Sequence, residues 1–160
     1  MNNAQRKQVS IIHAAVQLAH STMVSAAEEY TTASETEEYD HNNGAHREAK
    51  TAFVVDAKES LSRADEVSRL EELASEEEEK YDNMPEGLQS GERGEALQEA
   101  QERLETAASE LGDAVQSVET ALNDIDNAED DDTRADALTA LTEALDELEA
   151  AADVVYEAAQ

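Results

Sequence analysis

Few residues in this chain are of a type that does chemistry, and their spacing decides what each can do. Four histidines are present, and His13 and His20 stand seven apart. Seven residues of helix put two side chains on one face but about 10.5 Å apart, too far to share a metal ion. These histidines are expected to flank an apolar seam. Glu38-Tyr-Asp-His41 has the Glu-x-x-His spacing of carboxylate-bridged di-iron bundles, which require the motif twice with two further inward glutamates. A single copy beside a helix end does not meet that requirement. The run "NDIDNAEDDDTR", residues 123–134, is acidic enough to gather cations diffusely. It lacks the glycine and the bidentate glutamate of an EF-hand loop. Cysteine is absent, which excludes disulfides and thiolate metal sites. The expectation is a protein with no catalytic residue, metal site or cofactor, and hence not an enzyme.

The stretch "YDNMPEGLQSGERGE", Tyr81 to Glu95, holds the only proline, Pro85, and Gly87, Gly91 and Gly94. Its glycines do not match G-x-x-x-x-G-K-[ST], and no lysine follows Lys80 to hold a phosphate. Pro85 ends a helix and Ser90 can cap the next, so the stretch is expected to be a helix–helix corner. With the sequence after it, "ALQEAQERLETAASELGDAVQSVETAL", it resembles a helical-hairpin module of small acidic bacteriophage and prophage proteins. The likeness covers about Leu70 to Asn127 and centres on Asn-Met-Pro-Glu-Gly-Leu; the first 60 residues do not share it. It implies a mobile-element origin and a non-enzymatic helical protein, with Asn83 to Leu88 as a turn or a recognition tip.

Helices must position everything else. Aromatic residues make up 3% of the 160, so alanine, leucine and valine carry the burial, as in long helices packed side by side. Val9, Ile12, Val16, Ala19, Met23, Ala26, Tyr30 and Ala33 step alternately by three and four, the seam of a packed helix. Asn43-Gly44 is a helix stop. A second helix carries Phe53, Ala57, Leu61, Ala64, Val67, Leu70 and Ala74 inward, and "EEEEK", residues 76–80, is expected to leave its last turn solvated. In the third, Leu97, Leu104, Leu111, Val118 and Ile125 recur every seven residues, as do Ala100, Ala107, Ala114, Ala121 and Ala128. Gly112 interrupts this helix at a cost of about 1 kcal/mol relative to alanine. Thr133 and Asp136 form a capping-box-like start for the last helix, with rows Leu138, Leu145, Ala152 and Leu141, Leu148, Val155. Four helices over roughly 3–40, 45–80, 92–128 and 134–159 are predicted, the longest about 57 Å. They form an all-α, elongated four-helix bundle of antiparallel hairpins with coiled-coil-like heptads. The alternative is two hairpins that pair within a dimer. The chain is a single domain, 1–160, with an N-terminal hairpin over 1–80 and a more acidic one over 81–160.

The electrostatic character is the stronger functional signal. Forty acids against 11 bases give −29, and residues 81–160 alone carry 23 acids and 3 bases. Such a charge repels nucleic acid and anionic membranes and attracts basic surfaces. Glu92, Glu95, Glu99, Glu102, Glu105, Glu110, Asp113 and Glu119 avoid both seam rows of the third helix; Asp130, Asp131, Asp132, Glu143, Asp146 and Glu147 continue the array. Spread over about 57 Å, the net charge amounts to roughly one per 2 Å, against about 1.7 Å for duplex DNA. A rod of roughly 17 base pairs' length would fit a groove built for nucleic acid. The leading expectation is a DNA-mimic inhibitor, such as a phage anti-defence protein. Its partner would be a basic nucleic-acid-binding protein: a restriction, CRISPR or other DNA-processing enzyme. The alternatives are a scaffold-like coiled coil in particle assembly, or a halophilic protein whose charge only solvates it. Met1 to Ala27 contain no acid, and the Ile12–Val16 row could join two copies. Arg6 and Lys7 before "VSIIHAAVQLAHSTMVSAA" imitate a secretory signal, but His13, Gln17 and His20 interrupt the apolar run, which falls short of a membrane span. A cytoplasmic protein is expected, in the host cytoplasm if phage-encoded.

Overall fold

The computed structural model describes residues 1–35 and 44–160. Helices α1 (Asn3–Glu35), α2 (Gly44–Ala64), α3 (Val67–Asp82), α5 (Glu92–Asn127) and α6 (Asp131–Ala158) make the fold, with the single turn α4 (Glu86–Gln89) at one corner. No strand occurs among the described residues. Helix α1 packs on α2 and α6, and α5 packs on α3, α2 and α6. This is the all-α antiparallel bundle expected, with α2 and α3 together occupying its second position. One cluster of buried residues runs through all five long helices, so the two hairpins share a core. At 1.5 Å per residue α5 spans about 54 Å. The accessible surface is 9295 Å². A compact monomer of 17.4 kDa would expose roughly 7,900 Å². The excess fits an elongated shape.

The heptad rows of α5 and α6 bury as their periods require except near their starts, where Leu97 and Leu138 are half-buried. Leu104, Leu111, Val118 and Ile125 are fully enclosed, and Ala107, Ala114 and Ala121 lie beside them. Facing them on α6 are Leu141, Leu145, Leu148, Ala151, Ala152 and Val155. Alanine at alternate seam positions lets the two axes approach closely. On the α1–α2 side Tyr30 and Phe53 stack, with centroids 4.9 Å apart and planes within 3°.

The predicted second helix over 45–80 is broken at Asp65-Glu66, where Glu66 turns to φ −109°, ψ 22°. The cause lies in the spacing. Leu61, Ala64, Val67 and Leu70 are three apart throughout, and nine residues of α-helix make two and a half turns. A straight helix would therefore place Leu70 about half a turn from Leu61. The break lets both enter the core, at 5% and 0% exposure. It also shifts the inward row of α3 to Leu70, Leu73 and Glu77. The acidic last turn is accordingly not wholly solvated, because Glu77 is fully buried. Its carboxylate meets the Met1 amino group at 3.3 Å and Lys80 at 2.5 Å. Gln5 donates to Glu76 at 2.8 Å and accepts from Lys80 at 2.8 Å, clasping the start of α1 to the end of α3.

Tyr81 to Glu95 is a corner, as expected, but it encloses α4 and is capped differently. Ser90 ends α4, and Gly91 takes the N-cap position of α5 without a side-chain bond. Gln89 instead donates to the carbonyls of Tyr81 (3.2 Å) and Met84 (3.0 Å), tying α4 back to the end of α3. The turn is tight enough that a Cβ on Gly94 would stand 1.9 Å from the Gln89 carbonyl oxygen. At the other end of α5 the capping box lies three residues earlier than expected. Asp130 accepts from the Thr133 amide at 2.7 Å, and Thr133 Oγ1 accepts from the Asp130 amide at 3.3 Å. Helix α6 must already be formed at Arg134 and Ala137, both buried, which moves its start upstream.

Candidate functional site

The antiparallel pair α5–α6 leaves a furrow along its outer side, and the acids that line it define the candidate site. Its central section, about 470 Å³, is walled by Asp113 and Asp124 of α5 and by Glu143 and Glu147 of α6, with Ser117, Thr120 and Ala140 between them. Asp124 and Ala140 also line the next section, about 590 Å³, which runs to Glu129, Asp130 and Asp136 at the α5–α6 turn. Toward the other end Glu99, Glu102, Thr106 and Glu157 line a third section of about 580 Å³. Thr106, Asp113 and Thr120 are seven apart, so the three sections share one helical face. From Glu99 to Asp124 the furrow runs about 38 Å, with roughly one carboxylate every 5 Å.

Cations are scarce on this side. Arg103 is the one base lining the furrow sections, and it pairs with Glu99 along α5. Among the described residues Glu102, Asp113, Glu143 and Glu147 make no ion pair, whereas Glu59, Glu72 and Glu77 of α2 and α3 are paired with Arg63, Arg69 and Lys80. The lysines of α2 are engaged elsewhere. Lys50 donates to the carbonyls of Asp126 (2.7 Å) and Ala128 (3.3 Å) at the negative end of α5, and Lys58 to Asn123 at 2.7 Å. Most of the chain's bases thus lie in its N-terminal half, 8 of 11 within residues 1–80, and the α5–α6 face keeps little to offset its acids.

All fourteen acids expected to form the surface are exposed. Glu99, Glu102, Asp113, Asp130, Glu143 and Glu147 come together on the furrow. Glu110, seven residues from both Arg103 and Ser117, shares their row. The others point elsewhere. Glu105 and Glu119 lie seven either side of Gly112, which faces Val67 of α3. Asp146 precedes by three Glu149, which lines a groove beside α1. Glu92 and Glu95, and Asp131 and Asp132, occupy the first turns of α5 and α6, where negative charge favours the helix itself. Asp131 also pairs with Arg134 at 3.1 Å. The furrow acids Asp124, Glu129, Asp136 and Glu157 were not among the fourteen expected to form the surface. An eleven-residue spacing marks the first of them, since Glu102, Asp113 and Asp124 are three turns apart with a drift of only about 20°.

The remaining chemistry-bearing residues have structural places. His13 lies against Tyr156, ring centroids 5.2 Å apart, and half-buried His20 lines the groove beside α6. The Glu38–His41 motif and Asn43 fall outside the described residues. Among the described residues no group of three or more His, Asp or Glu converges as metal ligands, and no helix is long and apolar enough to cross a membrane. What the furrow offers is a line of exposed carboxylates on two helices over a floor of small side chains, a surface that can accept a row of cationic groups. Compared with protein-family models, curated proteins and solved structures, the chain matches none of them.

Proposed function

We propose that the protein is a DNA-mimic inhibitor that lays its α5–α6 face into the basic cleft of a nucleic-acid-binding protein, such as a restriction, CRISPR or other DNA-processing enzyme. In that role it acts without catalysis, in the cytoplasm of a host cell and as the product of a mobile element. One observation carries the reading: Asp113, Asp124, Glu143 and Glu147 line one furrow on paired helices, where no base neutralises them. Carboxylates on stiff helices keep their separations, so a partner evolved for regularly spaced phosphates meets regularly spaced anions. Binding would release counterions from both surfaces, and affinity would fall steeply with salt.

The test is displacement of labelled duplex from a panel comprising a restriction nuclease, a CRISPR nuclease and a repressor. At about 50 mM salt at least one should release its DNA, and inhibition should weaken about a hundredfold or more by 200 mM. Combining Asp113→Asn, Glu143→Gln and Glu147→Gln should weaken it further than any one of them. A panel that keeps its DNA at low salt sinks the reading.

A second reading has its own observation. Glu105, Glu119 and Asp146 face away from the furrow, as acids would if their task were only solvation, as in a halophilic protein. That reading expects the bundle to melt at low salt and to fold near about 1 M, where screening reaches about 3 Å.

A further inference from the structure

Helix α1 carries two apolar rows, and the structure uses only one. Ile12 and Val16, the row expected to join two copies, are buried in the intramolecular core at 3% and 0% exposure. Ile11 and Leu18, one residue before and two after, stand at 59% and 68%. They belong to a second heptad on the outer face: Ala4, Lys7, Ile11, Ala14, Leu18, Ser21, Ser25 and Glu28 step by three and four, and every one is exposed. Helix α1 lies against α2 and α6, and neither covers this row. We propose that a second copy of this chain covers it, with the two α1 helices antiparallel.

Side-chain size and charge both point to that occupant. In an antiparallel pair the two seam positions of one helix face the opposite positions of the other. The register that sets Leu18 on the partner's Ala14 also sets Ile11 on the partner's Ser21. Each large side chain then meets a small one, which permits close approach. The same register brings Lys7 to the partner's Ser25, one turn from the partner's Glu28 and Glu29. Along the outer row Lys7 is the only base and Glu28 the only acid, and residues 8–27 between them carry no acid, lysine or arginine. A parallel pair would set like charges together at both ends; the antiparallel pair sets opposite ones. The whole-molecule charge selects the same face. Two chains of −29 repel least here, where Glu149 of α6 is the one acid lining the groove beside Ala14, Leu18 and Ser21, and α1 does not pack on α5, which carries one wall of the furrow.

Sedimentation equilibrium of the full chain tests this. A dimer should form, and it should tighten between about 50 and 300 mM salt, as repulsion between the two molecules is screened more than the two exposed pairs lose. Leu18→Glu should weaken association by at least about tenfold, with helicity unchanged because the site is exposed. Lys7→Glu and Glu28→Lys should each weaken it a few-fold, and the two combined in one chain should restore it, since the antiparallel pairs re-form with their signs exchanged. A chain that stays monomeric up to roughly 1 mM overturns the proposal. So does a dimer indifferent to Leu18→Glu, or a charge-exchanged variant as weak as its parents. A monomer that binds uncharged lipid vesicles through Leu18 would assign the face to a lipid surface and equally overturn it.

Discussion

Among the described residues Glu77 is the only fully buried carboxylate, and the reason it can stay charged is local. Burial alone pushes its proton affinity up; the Lys80 hydrogen bond and the charges of the Met1 amino group and Lys80 outweigh burial and hold its carboxyl below the ordinary value of 4.5. A carboxylate stabilised in this way favours the fold above its ordinary pKa, and the contribution drains as pH falls through the lowered one. Glu77→Gln keeps the shape and removes the charge. It should cost about 2 kcal/mol near neutrality, the worth of a hydrogen bond to a charged group. Paired urea titrations at pH 7 and pH 3 should show the gap between wild type and variant narrowing at the lower pH. A gap that does not change with pH would mean that the ion pairs contribute nothing and only packing was disturbed.

At the scale of the element, α5 departs from ideality at Gly112, inside an unbroken helix. A Cβ there would meet the two Val67 methyls of α3 at 3.7 and 4.0 Å, ordinary contact distances. Gly112→Ala should therefore stabilise the protein by about 1 kcal/mol, through the lost flexibility of the unfolded chain and the added contact. Thermal unfolding by circular dichroism would register it as a rise of a few degrees, roughly 2–4 °C for a domain this large. A fall would show that α3 and α5 cannot give by a few tenths of an ångström. The α2–α3 break belongs to this scale as well. Three consecutive steps of three stood in the sequence, yet a stripe drawn through them reads as one helix until the accumulated half turn is counted.

The whole molecule is governed by its charge. Like-charge repulsion opposes compaction, and salt relieves it within a Debye length of about 10 Å at 0.1 M. The urea midpoint should rise steadily between about 50 and 500 mM sodium chloride, from a state already helical and cooperative at the lower value. Chain that is unfolded at 50 mM would have no rigid display to offer a DNA-binding cleft under the conditions where electrostatics is strongest, and would favour solvation as the purpose of the charge. The opposed salt responses keep the two proposals separable: cleft binding weakens with salt, and self-association through α1 strengthens.

The sequence by itself determined the helices of the C-terminal half, the alanine and leucine seams between them, and the sign and excess of the surface charge. Those features are local or periodic: a seven-residue repeat specifies its own inward face, and charge needs only counting. Tertiary structure alone decided which carboxylates are neighbours. Asp113 and Glu147 meet only because α5 and α6 fold back in one particular register, while Glu105, on the same helix as Asp113, is turned toward α3. It also decided that Glu77 lies inside and Ile11 outside, because burial depends on what packs opposite, and no side chain carries that information alone.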